Sequence, residues 1–260
     1  MVFPTALPQS SRRIVVGDVH GHYTALQTLL TAIAPGANDA VYFIGDLIDR
    51  GPDSAKVVEL VLENKFHCLL GNHEQMMLDA VGGGQVSPQL LQSWLYTGGL
   101  ATLTSYNHHI PSQHINWLQS LPLYLDLGDV WLVHAGLDPQ LPLQEQNHEQ
   151  FCWIRERFHR STQPYFSDKL IITGHTITFT FPRVEPGKLA MGAGWLDIDT
   201  GAYHPRSGWL TALELNERQV YQVHTNTQRV RKLALDEAVV VLDPNSLQGK
   251  PSKSKSWFGR

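Results

Sequence analysis

Five short stretches of this chain carry side chains able to bind metal ions or move protons, and each follows an apolar run. "GDVHG" presents Asp18 and His20; "GDLIDRG" presents Asp46, Asp49 and Arg50; "GNHE" presents Asn72, His73 and Glu74; "VHAG" presents His134; "TGHT" presents His175. Carboxylate oxygen, imidazole nitrogen and amide oxygen suit Mn2+, Fe or Zn2+, and the lack of thiolates among them argues against a structural zinc finger. Taken singly, an Asp-x-His or an Asn-His pair is a loop or the start of a capped helix. Five in order, with glycine beside them to let the backbone turn sharply, describe a site. A binuclear centre is the natural arrangement, because one carboxylate can bridge two ions about 3.5–4 Å apart that together polarise a phosphoryl oxygen and lower the pKa of a bridging water.

The elements that must carry these residues are legible in the apolar periodicity. Ile14 to Val16 reads as a short buried strand, and "HYTALQTLLTAI" then changes to helical spacing with Leu26, Leu29, Leu30 and Ile33 on one face. "AVYFIGD" and "DSAKVVELVLEN" repeat the strand and helix, and "FHCLLGN" with "HEQMMLDAV" repeats them again. Three such units argue for parallel strands with right-handed crossovers, which collect functional groups at the carboxyl ends of the strands. A helical stretch from about Pro88 to Leu121 follows, with Trp94, Leu95 and Trp117 as core or cap residues. "VWLVHAG", "KLIITGH", "GWLDIDT" and "WLTALEL" then predict a second, mixed sheet. Beyond about His224 the character shifts: "QRVRKLALDEAVVVLD" can form an element, whereas "PNSLQGKPSKSKSWFGR" has little to bury and reads as a disordered basic tail. The expected division is a catalytic domain over 1–224 and a C-terminal extension over 225–260.

Composition bounds these readings without choosing among them. At 260 residues, with 42% hydrophobic and 17% charged residues and a formal net charge of −4, the chain gives no electrostatic pointer to nucleic acid or membrane. Two cysteines, Cys68 and Cys152, are too few for a disulfide framework, and the first thirteen residues lack the pattern of a secretory leader, so a cytoplasmic protein is expected. Most of the thirteen histidines carry no message; His108, His109, His148 and His159 read as exposed loop residues.

As a set, "GDVHG", "GDLIDRG", "GNHE", "VHAG" and "GHT" resemble the signature series of the phosphoprotein phosphatase superfamily, within the calcineurin-like metallophosphoesterases. The likeness runs from Ile14 to Leu215. It implies an α/β fold in which a β-sandwich of two mixed sheets is flanked by helices on both faces, with two divalent ions at one edge, Mn2+ first and Fe or Zn2+ as alternatives. Asp18 and His20 would hold the first ion, Asp46 would bridge, and Asn72, His134 and His175 would hold the second. Arg50 would bind phosphate oxygens, as would Arg155 in "CWIRERF", preferred to its neighbour Arg157. His73 would protonate the leaving oxygen, with Asp49 placed to orient it and hold its proton, and Gly71 would permit the close approach. Glu74 is either a support for these groups or a simple helix-start carboxylate.

Three functions fit this resemblance. The first is a metal-dependent phosphomonoesterase of the bacterial Ser/Thr (and Tyr) phosphoprotein phosphatase type, acting on phosphoproteins or phosphopeptides and on small phosphomonoesters in vitro by direct in-line attack of a bridging hydroxide. A symmetrical diadenosine tetraphosphatase is the second, although such enzymes usually lack the Asp of "DRG" and carry Asp after "GNH", so Asp49 and Glu74 favour the first. The third is a metal-binding regulatory module without catalysis, which should have lost at least one of these residues. His204 stands where similar proteins often have a Gly-Gly turn, which marks this loop as a departure at the edge of the site.

Overall fold

The computed structural model describes residues 11–82 and 86–248. Of the stretch read as a disordered tail, Pro244–Gln248 forms a short 3-10 helix that packs Leu247 into the core; the residues beyond Gln248 and the glycines at 83 and 84 lie outside the described residues. Chain order runs β1 (Arg13–Val16), α1 (Tyr23–Ile33), β2 (Ala40–Phe43), α2 (Ser54–Glu63), β3 (His67–Cys68) and α3 (Asn72–Met77), the three strand-and-helix units expected. Then come α4 (Pro88–Trp94), α5 (Leu100–Ser105), α6 (Ser112–Gln119), β4 (Tyr124–Asp126), β5 (Val130–Val133), α7 (His148–Trp153), α8 (Glu156–His159) and β6 (Leu170–Thr173). The chain closes with β7 (Leu189–Gly192), β8 (Trp195–Asp197), β9 (Trp209–Glu214), β10 (Gln219–His224), β11 (Val230–Ala234), α9 (Leu235–Ala238) and β12 (Val239–Val241).

These strands form two mixed six-stranded sheets, ordered β11-β10-β9-β1-β2-β3 and β12-β7-β8-β6-β5-β4. Strand alternation explains how they stack. In β1, Ile14 and Val16 face α1 and α2, where they meet Leu26, Leu29, Val57 and Val61, while Val15 faces the other sheet and meets Leu132, Ile172 and Leu196. The second sheet turns Trp131, Val133, Ile171 and Trp195 outward onto Phe151 and Phe158 of α7 and α8. Each fully buried aliphatic side chain contributes roughly 1.5–3 kcal/mol of transfer free energy, so this three-layered core dominates the stability of the sandwich.

One expectation about strand placement is corrected. "WLTALEL" becomes β9 in the first sheet, antiparallel to β1 through Val15 and Leu213, and not a strand of the second sheet. An apolar run reports burial on both faces but not which sheet supplies the neighbour, and the β9–β10 ladder, six residue pairs long, carries it to the first. The stretch from Pro88 to Leu121 is helical, as expected, and divides into α4, α5 and α6. Gly98, at φ +121°, kinks it between α4 and α5, and residues 106–111 separate α5 from α6. Past His224, β11 pairs with β10 and β12 pairs with β7, so strand pairing continues across the boundary expected at 224.

Candidate active site

Every motif of the sequence lies at the carboxyl end of a strand: Asp18 after β1, Asp46 after β2, Asn72 after β3, His134 after β5 and His175 after β6. The stacking of the two sheets brings these ends together. Among the described residues, the ligand atoms of His20, Asp46 and His73 lie within 4.8 Å of one another, as do those of Asp46, His134 and His175. Asp46 belongs to both groups, with Oδ2 3.6 Å from His20 Nε2 and Oδ1 3.4 Å from His134 Nε2, the placement a bridging carboxylate requires. Asp18 sits at the edge of the first group, 4.0 Å from His20 Nε2, and accepts the backbone N–H of His175.

Backbone carbonyls set the imidazole tautomers. His20 Nδ1 lies 2.9 Å from the Ile48 carbonyl and His134 Nδ1 lies 2.8 Å from the Ile44 carbonyl; each can only donate there, which leaves Nε2 as a lone pair facing Asp46. Asn72 Oδ1 stands 3.0 Å from His134 Nε2 and 2.8 Å from His175 Nδ1, so the amide oxygen shares the second group. Burial holds the pKa values of His20, His134 and His175 below the ordinary imidazole value, in the neutral state that binds cations. Burial, together with the charges of Asp199 and Asp46, pushes the Asp18 carboxyl up, and burial raises Asp199 to about 6. A buried cluster of carboxylates ringed by neutral imidazoles is short of positive charge, and a pair of divalent cations is the group this donor set fits.

The proton-handling residues have their own support. His73 Nδ1 lies 2.6 Å from Asp49 Oδ2, and His73 Nε2 lies 4.0 Å from Asp46 Oδ2, on the side of the metal groups. Asp49 is fully buried and receives Trp94 Nε1–H at 3.0 Å and Thr102 Oγ1–H at 2.7 Å, while its own N–H donates to Thr102 Oγ1 and Ser54 Oγ. Trp94 was expected in the core and is there, but its indole N–H also fixes Asp49; Thr102 gave no signal, since a threonine in an amphipathic helix is commonplace.

Glu74 is resolved in favour of support. Its oxygens accept the N–H groups of Asp46, Leu47, Ile48 and Gly71, so it cradles the whole turn after β2. A Cβ on Gly71 would collide with Asp46 Oδ1 and Glu74 Oε2, which is why glycine opens α3. His20, Asp46, Asp49, Arg50 and His175 all hold positive φ, between 48° and 72°. Such conformations cost on the order of 1 kcal/mol or more apiece outside glycine; the cradle, Ser54, Thr102 and the Gly98 carbonyl on Arg50 N–H hold the turn after β2, while the Asp46 carbonyl accepts the His20 N–H and the Asp18 carboxylate accepts that of His175.

Two arginines reach the open face. Arg50 stacks 3.9 Å above the Tyr203 ring and places Nη1 3.1 Å from His20 Nε2. Arg155 places Nη1 2.9 Å from the His175 carbonyl and 3.0 Å from Thr176 Oγ1. Arg157 instead pairs with Asp138 at 2.6 Å, away from the centre. Sequence reading missed Asp199 and Tyr203, which lie in the loop after β8: "GWLDIDT" reads as a strand, and nothing in its pattern marks the carboxylate at its end. His204 packs edge-on to Phe179, 4.8 Å between centroids.

The chain's relatives agree with this geometry at the level of the family. The model of the calcineurin-like phosphoesterase family matches residues 11–198. A serine/threonine-protein phosphatase 1 of Salmonella typhimurium is 41% identical over 152 residues, covering 55% of this chain and 68% of that protein. A symmetrical bis(5'-nucleosyl)-tetraphosphatase of Photorhabdus laumondii is 35% identical over 164 residues, 60% of this chain and 55% of that protein, so the chain spans about half the length of that relative. The crystal structure of a putative diadenosine tetraphosphatase superposes with a TM-score of 0.57 at 22% identity, covering 87% of this chain and 95% of that one, a likeness of fold. With the family model covering most of the chain and the metal-ligand geometry at its strand ends, this protein belongs to the calcineurin-like phosphoesterase family.

Proposed function

We propose that this chain is a metal-dependent phosphomonoesterase whose substrates are phosphorylated serine and threonine side chains, with phosphotyrosine accepted alongside. The observation that carries this reading is the buried His73–Asp49 dyad. An alkoxide is a poor leaving group and needs a proton as the P–O bond breaks, and a histidine with Nδ1 held by a carboxylate presents Nε2–H for that purpose. Asp18, His20, Asp46, Asn72, His134 and His175 would hold two divalent cations, Mn2+ first among candidates, which supply positive charge against the phosphoryl oxygens and make water a nucleophile near neutral pH. Arg50 and Arg155 bind the equatorial phosphoryl oxygens and orient the ester in line. Trp94 and Thr102 keep Asp49 in place, so that the imidazole neither rotates nor changes tautomer during transfer.

Hydrolysis of symmetrical dinucleoside tetraphosphates is the second reading. Its support is the names of relatives, among which symmetrical tetraphosphatases outnumber protein phosphatases. By that measure the second reading stands ahead of the first; by the chemistry of the dyad the order reverses, because a nucleotide leaving through a phosphate oxygen has little need of a proton donor. The deciding assay strips the protein of metal, restores Mn2+ and compares a phosphoserine/phosphothreonine peptide, a phosphotyrosine peptide, p-nitrophenyl phosphate and diadenosine tetraphosphate. Faster phosphate release from the peptides is the expected result. Preference for the dinucleotide would establish the second reading, and no turnover with both ions bound would leave a metal-binding module.

A further inference from the structure

His159, expected among exposed loop histidines, is 3% exposed and lies edge-on to Phe158, Phe181 and Trp195. Its Nδ1 is 2.9 Å from the Arg155 carbonyl oxygen, an acceptor only, so Nδ1 carries a hydrogen. The same carbonyl receives the backbone N–H groups of Phe158 and His159, at 3.1 Å each. In the neutral ring Nε2 is then a bare lone pair, and it faces Asp197 Oδ2 across 3.6 Å; neither atom has a hydrogen-bond partner elsewhere. Asp197 is fully buried, and its Oδ1 accepts the N–H of Asp199, whose carboxylate lies in the field of Arg50 and Arg155.

Two lone pairs meeting in a dry core repel, and the contact becomes attractive when one proton lies between them. We propose that the Asp197–His159 pair is a positioning device for Arg155: it ties the end of β8 to the Arg155 carbonyl and thereby aims the guanidinium at the phosphate site. Asp197 carries the proton and donates it to His159 Nε2, and His159 donates from Nδ1 to Arg155. Burial acts in the same sense on both groups, raising the Asp197 carboxyl and lowering His159 to about 3, so both are neutral. Arg155 sits between α7 and α8, outside both helices, and its carbonyl is where the local backbone is gripped by three donors. His159 and Asp197 touch no substrate; they act through Arg155, and this inference rests on the reading of Arg155 as a phosphate ligand.

The test measures kcat and KM on p-nitrophenyl phosphate, inhibition by inorganic phosphate and the thermal midpoint, on the full Mn2+-loaded chain. His159→Phe preserves the ring packing and removes both nitrogens; it should raise KM and the phosphate inhibition constant about tenfold, and add no further loss in an Arg155→Ala background. Asp197→Asn should stay within about twofold of the parent, because its amide N–H replaces the shared proton while the amide oxygen keeps the bond from Asp199. His159→Asn, whose Nδ2–H reaches the Arg155 carbonyl but which leaves Asp197 without its partner, should recover only part of the phosphate affinity. Equal losses from His159→Phe with and without Arg155 would overturn the proposal, as would a tenfold loss in Asp197→Asn, which also decides the matter if His159→Phe does not fold. Should Arg155→Ala leave phosphate inhibition unchanged, the role of Arg155 and this inference both fall; if Arg155→Ala weakens it and His159→Phe does not, this inference alone falls.

Discussion

At the scale of single residues the site is built from groups whose freedom has been removed. His73 has one nitrogen committed to Asp49 and one facing the metal groups, so its contribution is tied to a proton at a single atom. His73→Asn should lower kcat by roughly 10²–10⁴-fold on a phosphoserine peptide and by less on p-nitrophenyl phosphate, whose leaving group needs no proton. Steady-state kinetics on the two substrates checks this, and equal losses would remove His73 from the role of acid. Asp46, shared between both ligand groups, has a separable role: Asp46→Asn should release metal as well as activity, as elemental analysis after gel filtration would register.

At the scale of elements, short polar links decide whether strand ends present their ligands. The Glu74 cradle joins the first turn of α3 to the turn after β2, and both its oxygens face N–H donors. Glu74→Gln would set an amide NH2 against N–H groups, costing about 1–3 kcal/mol of stability and loosening Asp46, so the denaturation midpoint and metal content should fall together. A second link, Arg12 to Asp39, fastens the entry of β1 to the loop before β2 at 2.6 Å. Burial works against ionisation of Asp39, but the Arg12 guanidinium and the N–H groups of Gly36 and Arg12 outweigh it and hold the carboxyl below its usual range. Its folded pKa is thus below the unfolded one, and the stabilisation is present above about pH 3.9 and lost as pH falls through the folded value. Asp39→Asn should therefore be less stable than the parent at pH 7, with the difference vanishing in acid; denaturant titrations across that range measure it.

At the scale of the whole molecule, the two sheets share one edge at which a cluster of buried carboxylates and imidazoles is assembled from both. Asp18 and Asp46 come from the first sheet, His134 and His175 from the second, so cations bound between them would fasten the halves of the sandwich together. Chelation should lower the thermal midpoint, and added Mn2+ should raise it in a concentration-dependent way, by about 2.7 kcal/mol of stability at a hundredfold excess over Kd. Scanning calorimetry with and without chelator reads this directly, independently of any substrate.

Much of this was open to sequence reading because strand ends announce themselves: an apolar run, Gly or Val, then a metal-competent side chain is a local grammar, and it located Asp18, His20, Asp46, Asn72, His134 and His175 together with the first three parallel units. Gly71 and Cys68 were legible for the same reason, since backbone approach and burial are written in neighbouring residues. What needed the tertiary structure is whatever depends on a partner far along the chain. Trp94 and Thr102 on Asp49, Tyr203 under Arg50, β9 in the first sheet and His159 against Asp197 are contacts across roughly forty to two hundred residues, and periodicity carries no information about them. Which chemical groups stand at the strand ends is written in the local sequence; which groups hold them there follows from the packing of one sheet on the other, because burial and hydrogen-bond partners are properties of the folded neighbourhood and not of the residue.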